Sequence, residues 1–313
     1  MRVAYDLARR ILPNHTTRFS RKDFILPQLF ACLVVREMLR LSYRKAEAFL
    51  RDSPDWLADI GLSKPPDHNT LWRAFGALCT LRRLNQMLDL QVQLFREVRQ
   101  LKLRCKPLAI DSTCYEPRHR SRHYERRCRR MDLAPGGKFG RKTGLSADQA
   151  RSRELRRMPK LALAGSAHGH LVLAARVHLG SGSDAPDFGP LLKDACRRAP
   201  VKTAVADAGF DSEENHRLAR RDLGVRSIIP AKIGRPSDKP PTGYWRRLMR
   251  RRFARRADRS VYGQRAQAET INSMLKRNLD DALRSRLRPR RKAEMLFRTV
   301  VHNIMLVGAL DTG

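Results

Sequence analysis

Residues 106–113 read KPLAIDST, and at this point the periodicity of the chain changes. Before it, apolar residues recur at helical spacing. Here Leu108, Ala109 and Ile110 form a short continuous apolar run that ends on Asp111. Such a run, bounded by Pro107 and polar residues, reads as a buried strand that delivers a carboxylate at its end. The pattern recurs in TAVADAGFDS (203–212), where Ala204, Val205 and Ala206 precede Asp207. Between the two, LALAGSAHGHLVLAARVHLG (161–180) reads as two strands joined at about His168 to His170, and FGPLLKDACRRA (188–199) as a helix. A helix over 212–222 stopping at Gly224, then a strand at VRSIIPA (225–231) and a last apolar helix, complete the half. The predicted class is mixed α/β, a central sheet covered by helices.

Residues 1–100 read differently. FILPQLFACLVVREML (24–39) is apolar all round, a buried helix starting near Pro27, and LSYRKAEAFL (41–50) is a short amphipathic helix. DSPDWLADIGL (52–62) opens with capping residues, and NTLWRAFGAL (69–78) offers Asn69 or Thr70 as an N-cap. Two short helices around a Gly/Pro turn resemble a helix-turn-helix, which would bring Arg73 to DNA. A long helix over about 81–102 follows. The expected organisation is an all-helical N-terminal domain at 1–100, for DNA binding or dimerisation, and a catalytic domain at 101–313. The second carries a basic insertion at about 114–160 and a short Arg-rich insertion at about 232–259.

Charge narrows the function. Sixty-five Lys and Arg against 31 Asp and Glu give a formal net charge of +34. A field of that size opposes compaction unless a polyanion screens it, and phosphate neutralisation on nucleic acid provides that screening. The six cysteines are scattered without a CxxC pair, which suits a reducing cytoplasm. No signal peptide and no membrane span is expected.

Two carboxylates at neighbouring strand ends repel unless a divalent cation lies between them, and oxygen ligands suit Mg²⁺ or Mn²⁺. A third acid stands in YGQRAQAETINSMLK, residues 262–276. On a helix advancing about 100° per residue, Tyr262, Arg265 and Lys276 fall within about 60° of Glu269, while Ile271, Met274 and Leu275 fall opposite. Such a helix would pack on the sheet and present one acid among a phenol and two cations able to hold phosphate. Taken alone, Arg265 and Glu269 are equally an ordinary i, i+4 surface pair.

The spacing Tyr-x2-Arg-x3-Glu-x6-Lys, filled by Tyr262, Arg265, Glu269 and Lys276, together with AIDST around Asp111 and ADAGFDSEENH around Asp207, resembles the DDE transposases of bacterial insertion sequences. The resemblance covers roughly residues 105–305 and lies within the group containing insertion-sequence families four and five. Only 62 positions separate Asp207 from Glu269, too few for the large β insertion some members carry, so the chain is more similar to family five. The resemblance implies an RNase H-like core in which Asp111, Asp207 and Glu269 bind two catalytic metal ions, Asp111 bridging both. It implies cleavage at element ends, transfer of the 3′-OH to target DNA, and a homodimer in a synaptic complex with the terminal inverted repeats. Two other functions fit the residues: a non-catalytic DNA-binding protein derived from a transposase, and a metal-dependent endonuclease without strand transfer.

Other residues receive humbler readings. The Arg run, including Arg246, Arg247, Arg250 and Arg251, is expected to bind phosphate, and Trp245 either packs in the core or stacks on a base. Asp211, Asp184 and Asp187 read as helix caps. Cys114, His119, His123 and Cys128 have spacing foreign to structural zinc sites, and His168, His170 and His178 read as packing or surface residues.

Overall fold

The computed structural model describes residues 1–19, 22–98, 107–118, 158–180, 182–232 and 240–308, with positions 123, 126 and 127. The expected mixed sheet is present. Strands β1 (Leu108–Cys114), β3 (Lys160–Ser166), β4 (Val172–His178), β5 (Thr203–Ala206) and β6 (Arg226–Ile228) stand in the order β4-β3-β1-β5-β6. The β4-β3-β1 side is antiparallel and the β1-β5-β6 side parallel. This is the RNase H-like arrangement. A separate two-stranded ribbon pairs β2 (Glu116–Pro117) with β7 (Ala282–Leu283).

The central parts of β1, β3, β4 and β5 are apolar because both faces of the sheet are covered there. Leu108 and Ile110 turn to one face, where Phe188, Leu191, Leu192 and Ala195 of α7 (Ala185–Arg198) lie. Ala109, Val205 and Ile228 turn to the other, against Ala268 of α11 (Ala266–Leu279). Close approach of α11 depends on Gly165 of β3, where a Cβ would collide with Ile271 Cδ1. The run that ends on Asp111 is shorter than its strand: β1 continues to Cys114, paired with β3 throughout, and loses its β5 neighbour after Ile110.

Six helices precede the sheet: α1 (Arg2–Arg9), α2 (Leu26–Met38), α3 (Tyr43–Arg51), α4 (Pro54–Ala58), α5 (His68–Leu78) and α6 (Leu81–Val98). The cap of α5 is Asp67, two residues before Asn69, the nearer of the predicted pair. Its carboxylate accepts from the Asn69 and Thr70 amides and the Thr70 hydroxyl, which suits Asx geometry better than a residue inside the first turn. Residues 59–67 link α4 to α5, longer than the tight turn of a helix-turn-helix. Phe30, Leu33, Phe75 and Leu88 of these helices share one apolar cluster with Leu161 and Leu163 of β3 and with Phe297 and Val300 of the last helix, α12 (Arg288–Gly308). His302 and Asn303, polar breaks in an apolar stretch, pin α12 to the β3–β4 hairpin. Asn303 exchanges two 2.9 Å bonds with the Val172 backbone, and His302 meets the His170 carbonyl at 2.9 Å.

The helical region is welded to the sheet by Arg298, whose side chain is fully buried. Its guanidinium donates to Glu37 of α2 (2.9 Å), to Glu294 (3.0 Å) and to the carbonyls of Asp280 and Ala282, and it lies 5.3 Å from the Tyr115 ring. Removing one member of such a network strands the opposite charges without water. Arg298→Ala is therefore expected to lower unfolding stability by about 3–5 kcal/mol in urea titration. Adding Glu37→Gln and Glu294→Gln should recover part of that loss.

Candidate active site

Parallel pairing of β1 with β5 sets the site. Ile110 is in register with Ala206, so the next residue in each segment is an aspartate, Asp111 within β1 and Asp207 just past the end of β5. The chain turns sharply after Asp207, whose Oδ1 accepts from the Gly209 amide at 2.8 Å. A Cβ at 209 would sit 2.9 Å from Asp207 Oδ1 and 3.0 Å from Asp184 Oδ2, so glycine is what lets two carboxylates crowd this turn.

Burial, with the Asp207 charge adding to it, pushes the Asp111 carboxyl up to about 6, against the Ser112 amide, Arg265 and Asn272, which favour its charged form. Asn272 Nδ2 donates to Asp111 Oδ2 at 3.0 Å. Asn272 lies one turn beyond Glu269 on α11 and is buried, with its Oδ1 unpartnered among the described residues. This bond ties the helix carrying the third acid to the strand carrying the first.

Glu269 stands in the first turn of α11 with its side chain 55% exposed and its Oε1 2.6 Å from Arg265 Nη2. The single helix expected across 262–276 is two: α10 (Arg259–Gly263) and α11, meeting at Gln264 and Arg265. The kink leaves Tyr262 at the site. Burial raises its phenol, while Arg265 opposes the rise and the Asp207 and Glu269 charges add to it. Lys276 lies two turns along α11, its Nζ 5.6 Å from the Tyr115 ring. The chain thus brings Asp111, Asp207, Arg265, Tyr262 and Glu269 into one electrostatic neighbourhood. The donors are hard carboxylate oxygens of the kind Mg²⁺ and Mn²⁺ take. No three of the described His, Cys, Asp and Glu side chains are grouped as a metal ion requires, and Glu269 is paired with Arg265.

Several residues stand elsewhere than expected. Asp184 stands at the N-cap of α7 as expected, but its carboxylate makes no cap bond and instead takes the Ser112 hydroxyl (2.7 Å) and Lys160 Nζ (3.1 Å), while Asp187, in the first turn, pairs with Lys160 (2.9 Å) and His178 (2.7 Å). Asp211 is not the cap of the next helix; Ser212 caps α8 (Glu213–Arg217). The buried Asp211 carboxylate instead engages Arg246 at 2.8 Å, and hydrogen bonds outweigh desolvation to hold it below its ordinary value. Arg246 is therefore committed inside the protein. Arg247, Arg250 and Arg251 of α9 (Tyr244–Ala254) face solvent, and Trp245 is half-buried between Tyr244 and Arg220. Arg73 is exposed on α5. His170 Nε2 meets Gln267 Oε1 at 2.8 Å. His119 and Cys128 lie outside the described residues.

Residues 106–304 match the family model of the transposase DDE domain. The chain belongs to that family. All three acids fall within the matched span, and transposases of this family act on DNA and generally use divalent metal ions. No curated protein and no solved structure matches the chain. Among the described residues, no helix of the transposase is long and apolar enough to cross a membrane. Sequence reasoning missed Asn272, Ser112 and the Lys160 cluster as parts of the site. Asn272 alone left a trace, three residues after Glu269 on the inward face.

Because the folded protein raises Asp111 above its unfolded value, its contribution to stability is intact below pH of about 4 and is lost as pH rises through about 6. At pH 7.5 without divalent cations, Asp111→Asn is expected to raise unfolding stability by up to roughly 2–3 kcal/mol. Mn²⁺ should raise the melting temperature of the wild type and leave that of Asp111→Asn nearly unchanged. A less stable Asp111→Asn in metal-free buffer would contradict the assignment.

Proposed function

We propose that the chain cuts the ends of a bacterial insertion sequence and joins the freed 3′-OH to target DNA, with Asp111, Asp207 and Glu269 holding two Mg²⁺ or Mn²⁺ ions. The observation that carries this reading is the adjacency of Asp111 and Asp207 across the β1–β5 pairing, crossed by the helix that bears Glu269. The ions, when bound, supply Lewis acidity to the phosphate oxygens and favour the deprotonated nucleophile.

The chain's own residues do the rest. Asn272 orients Asp111 by donating to its Oδ2. Glu269 must turn from Arg265 to face the two aspartates, and that movement frees a guanidinium beside the scissile phosphate. Lys276, farther along the same helix, suits the next phosphate, and the Tyr262 phenol donates to a phosphate oxygen. Exposed Arg247, Arg250 and Arg251 track the backbone of the same duplex.

In the first step water attacks phosphorus and the bond to the 3′ oxygen breaks, leaving a 3′-OH and a 5′-phosphate. In the second that 3′-OH attacks a target phosphodiester and displaces its 3′ oxygen, so one phosphodiester replaces another. Neither step needs a covalent enzyme intermediate, and the Ser112 proton is already committed to Asp184. Two ends must meet, which places the reaction in a synaptic homodimer on the terminal inverted repeats, in the cytoplasm at the nucleoid.

The test is a joining assay with labelled element ends, a target plasmid and Mg²⁺. The wild type should give joined products, and Glu269→Gln should lower the rate by at least about 10³-fold while binding DNA equally. Cleavage without joining would make the protein an endonuclease. Tight binding with neither reaction would make it a non-catalytic DNA-binding derivative.

A further inference from the structure

A cavity of about 750 Å³ opens between α5, the end of β4 and the start of α12, and none of the three acids lines it. Its apolar part includes Trp72, Leu81 and Leu287, which are 46%, 39% and 58% exposed. Arg73, Arg288, Arg290 and Lys292 contribute cations, and no Asp or Glu lines the cavity. Several other arginines are paired: Arg198 with Asp89, Arg252 with Asp258, Arg284 with Asp280 and Arg298 with Glu37. Among the described residues, none of the four cavity cations has a carboxylate partner.

One of them is held in a built arrangement. Arg290 lies over the Trp72 indole, its guanidinium carbon 3.8 Å from the ring centroid. Gly76 makes the space for it, since a Cβ there would stand 2.9 Å from Arg290 Nη2. A hollow carrying Arg82 and Arg83 adjoins the cavity at Thr80.

A flat cation–aromatic stack ringed by unneutralised cations suits a ligand with an aromatic plane and negative charge. Inorganic phosphate would leave the indole unused, and an acidic peptide would bring no ring to it. The volume lies within the few hundred to about 1,000 Å³ usual for small-ligand sites. We propose that this cavity binds an unpaired nucleotide of DNA, its base on the Trp72–Arg290 stack and its flanking phosphates on Arg73, Arg288 and Lys292. The inference rests on the reading of DNA as substrate and adds a second DNA-binding site, separate from the carboxylates.

The test needs no catalysis and is run in EDTA at moderate salt. A fluorescently labelled single-stranded oligonucleotide and an abasic strand of equal length are titrated with wild type, Trp72→Ala and Arg288→Ala, whose folding is checked by circular dichroism. Trp72→Ala should weaken binding of the normal strand about tenfold and leave the abasic strand within about twofold. Arg288→Ala should weaken both strands and reduce the slope of log K against log salt by about 0.7. In a Trp56→Phe/Trp245→Phe protein, the remaining Trp72 fluorescence should be quenched by the normal strand. Equal affinities of wild type and Trp72→Ala for the normal strand, or equal losses on both strands, would overturn the proposal. So would loss of poly-glutamate binding in Trp72→Ala with DNA binding intact, which would assign the cavity to an acidic protein partner. Because no cleavage is read, failure of strand transfer and failure of this site are separable.

Discussion

The buried guanidinium of Arg298 is the interaction on which the architecture turns. It joins α2, α12, the backbone following α11 and the region of Tyr115 just beyond β1. A charge taken that far from water survives only with every donor satisfied, so the elements around it are held to one relative placement. The backbone it grips, Asp280 and Ala282, follows directly on the helix bearing Glu269. The helical N-terminal region thereby helps fix the third acid, although it contributes no carboxylate to the site.

At the site the logic is reversed, because charges there are left in conflict. Asp111 and Asp207 are brought together by strand register, and burial of Asp111 beside that second charge makes its ionised form costly. Asn272 relieves part of the strain, and Arg265 is divided between Asp111, Tyr262 and Glu269. Arg265 meets Glu269 directly at 2.6 Å. Such unresolved electrostatics are stable only as part of a well-packed scaffold, and they favour a ligand that supplies positive charge.

The many arginines divide into two populations. One is paired: Arg198, Arg246, Arg252, Arg284 and Arg298 each hold a carboxylate. The other includes Arg247 and Arg251 on α9 and Arg73, Arg288 and Arg290 near Trp72, none of which has a carboxylate partner among the described residues. Net charge alone does not separate these roles. Burial and partners do, and Arg246 shows that neighbours in one basic run can belong to different populations.

By itself the sequence determined the class of the fold, the strand leading to each aspartate and the helix bearing Glu269. Short continuous apolar runs between polar turns suit strands buried on both faces, and an amphipathic run beside them suits a covering helix. It could not show that β1 runs on past Asp111, since antiparallel pairing with β3 continues it through polar residues. Nor could it show that Asp184, Asp187 and Asp211 serve in ion pairs, because a local cap and a long-range partner look alike in a linear string. Asn272, Lys160 and the Trp72–Arg290 stack were decided only by tertiary structure. Asn272 and Asp111 are 161 positions apart, Lys160 and Asp184 are 24 apart, and distance along the chain carries no trace of approach in space.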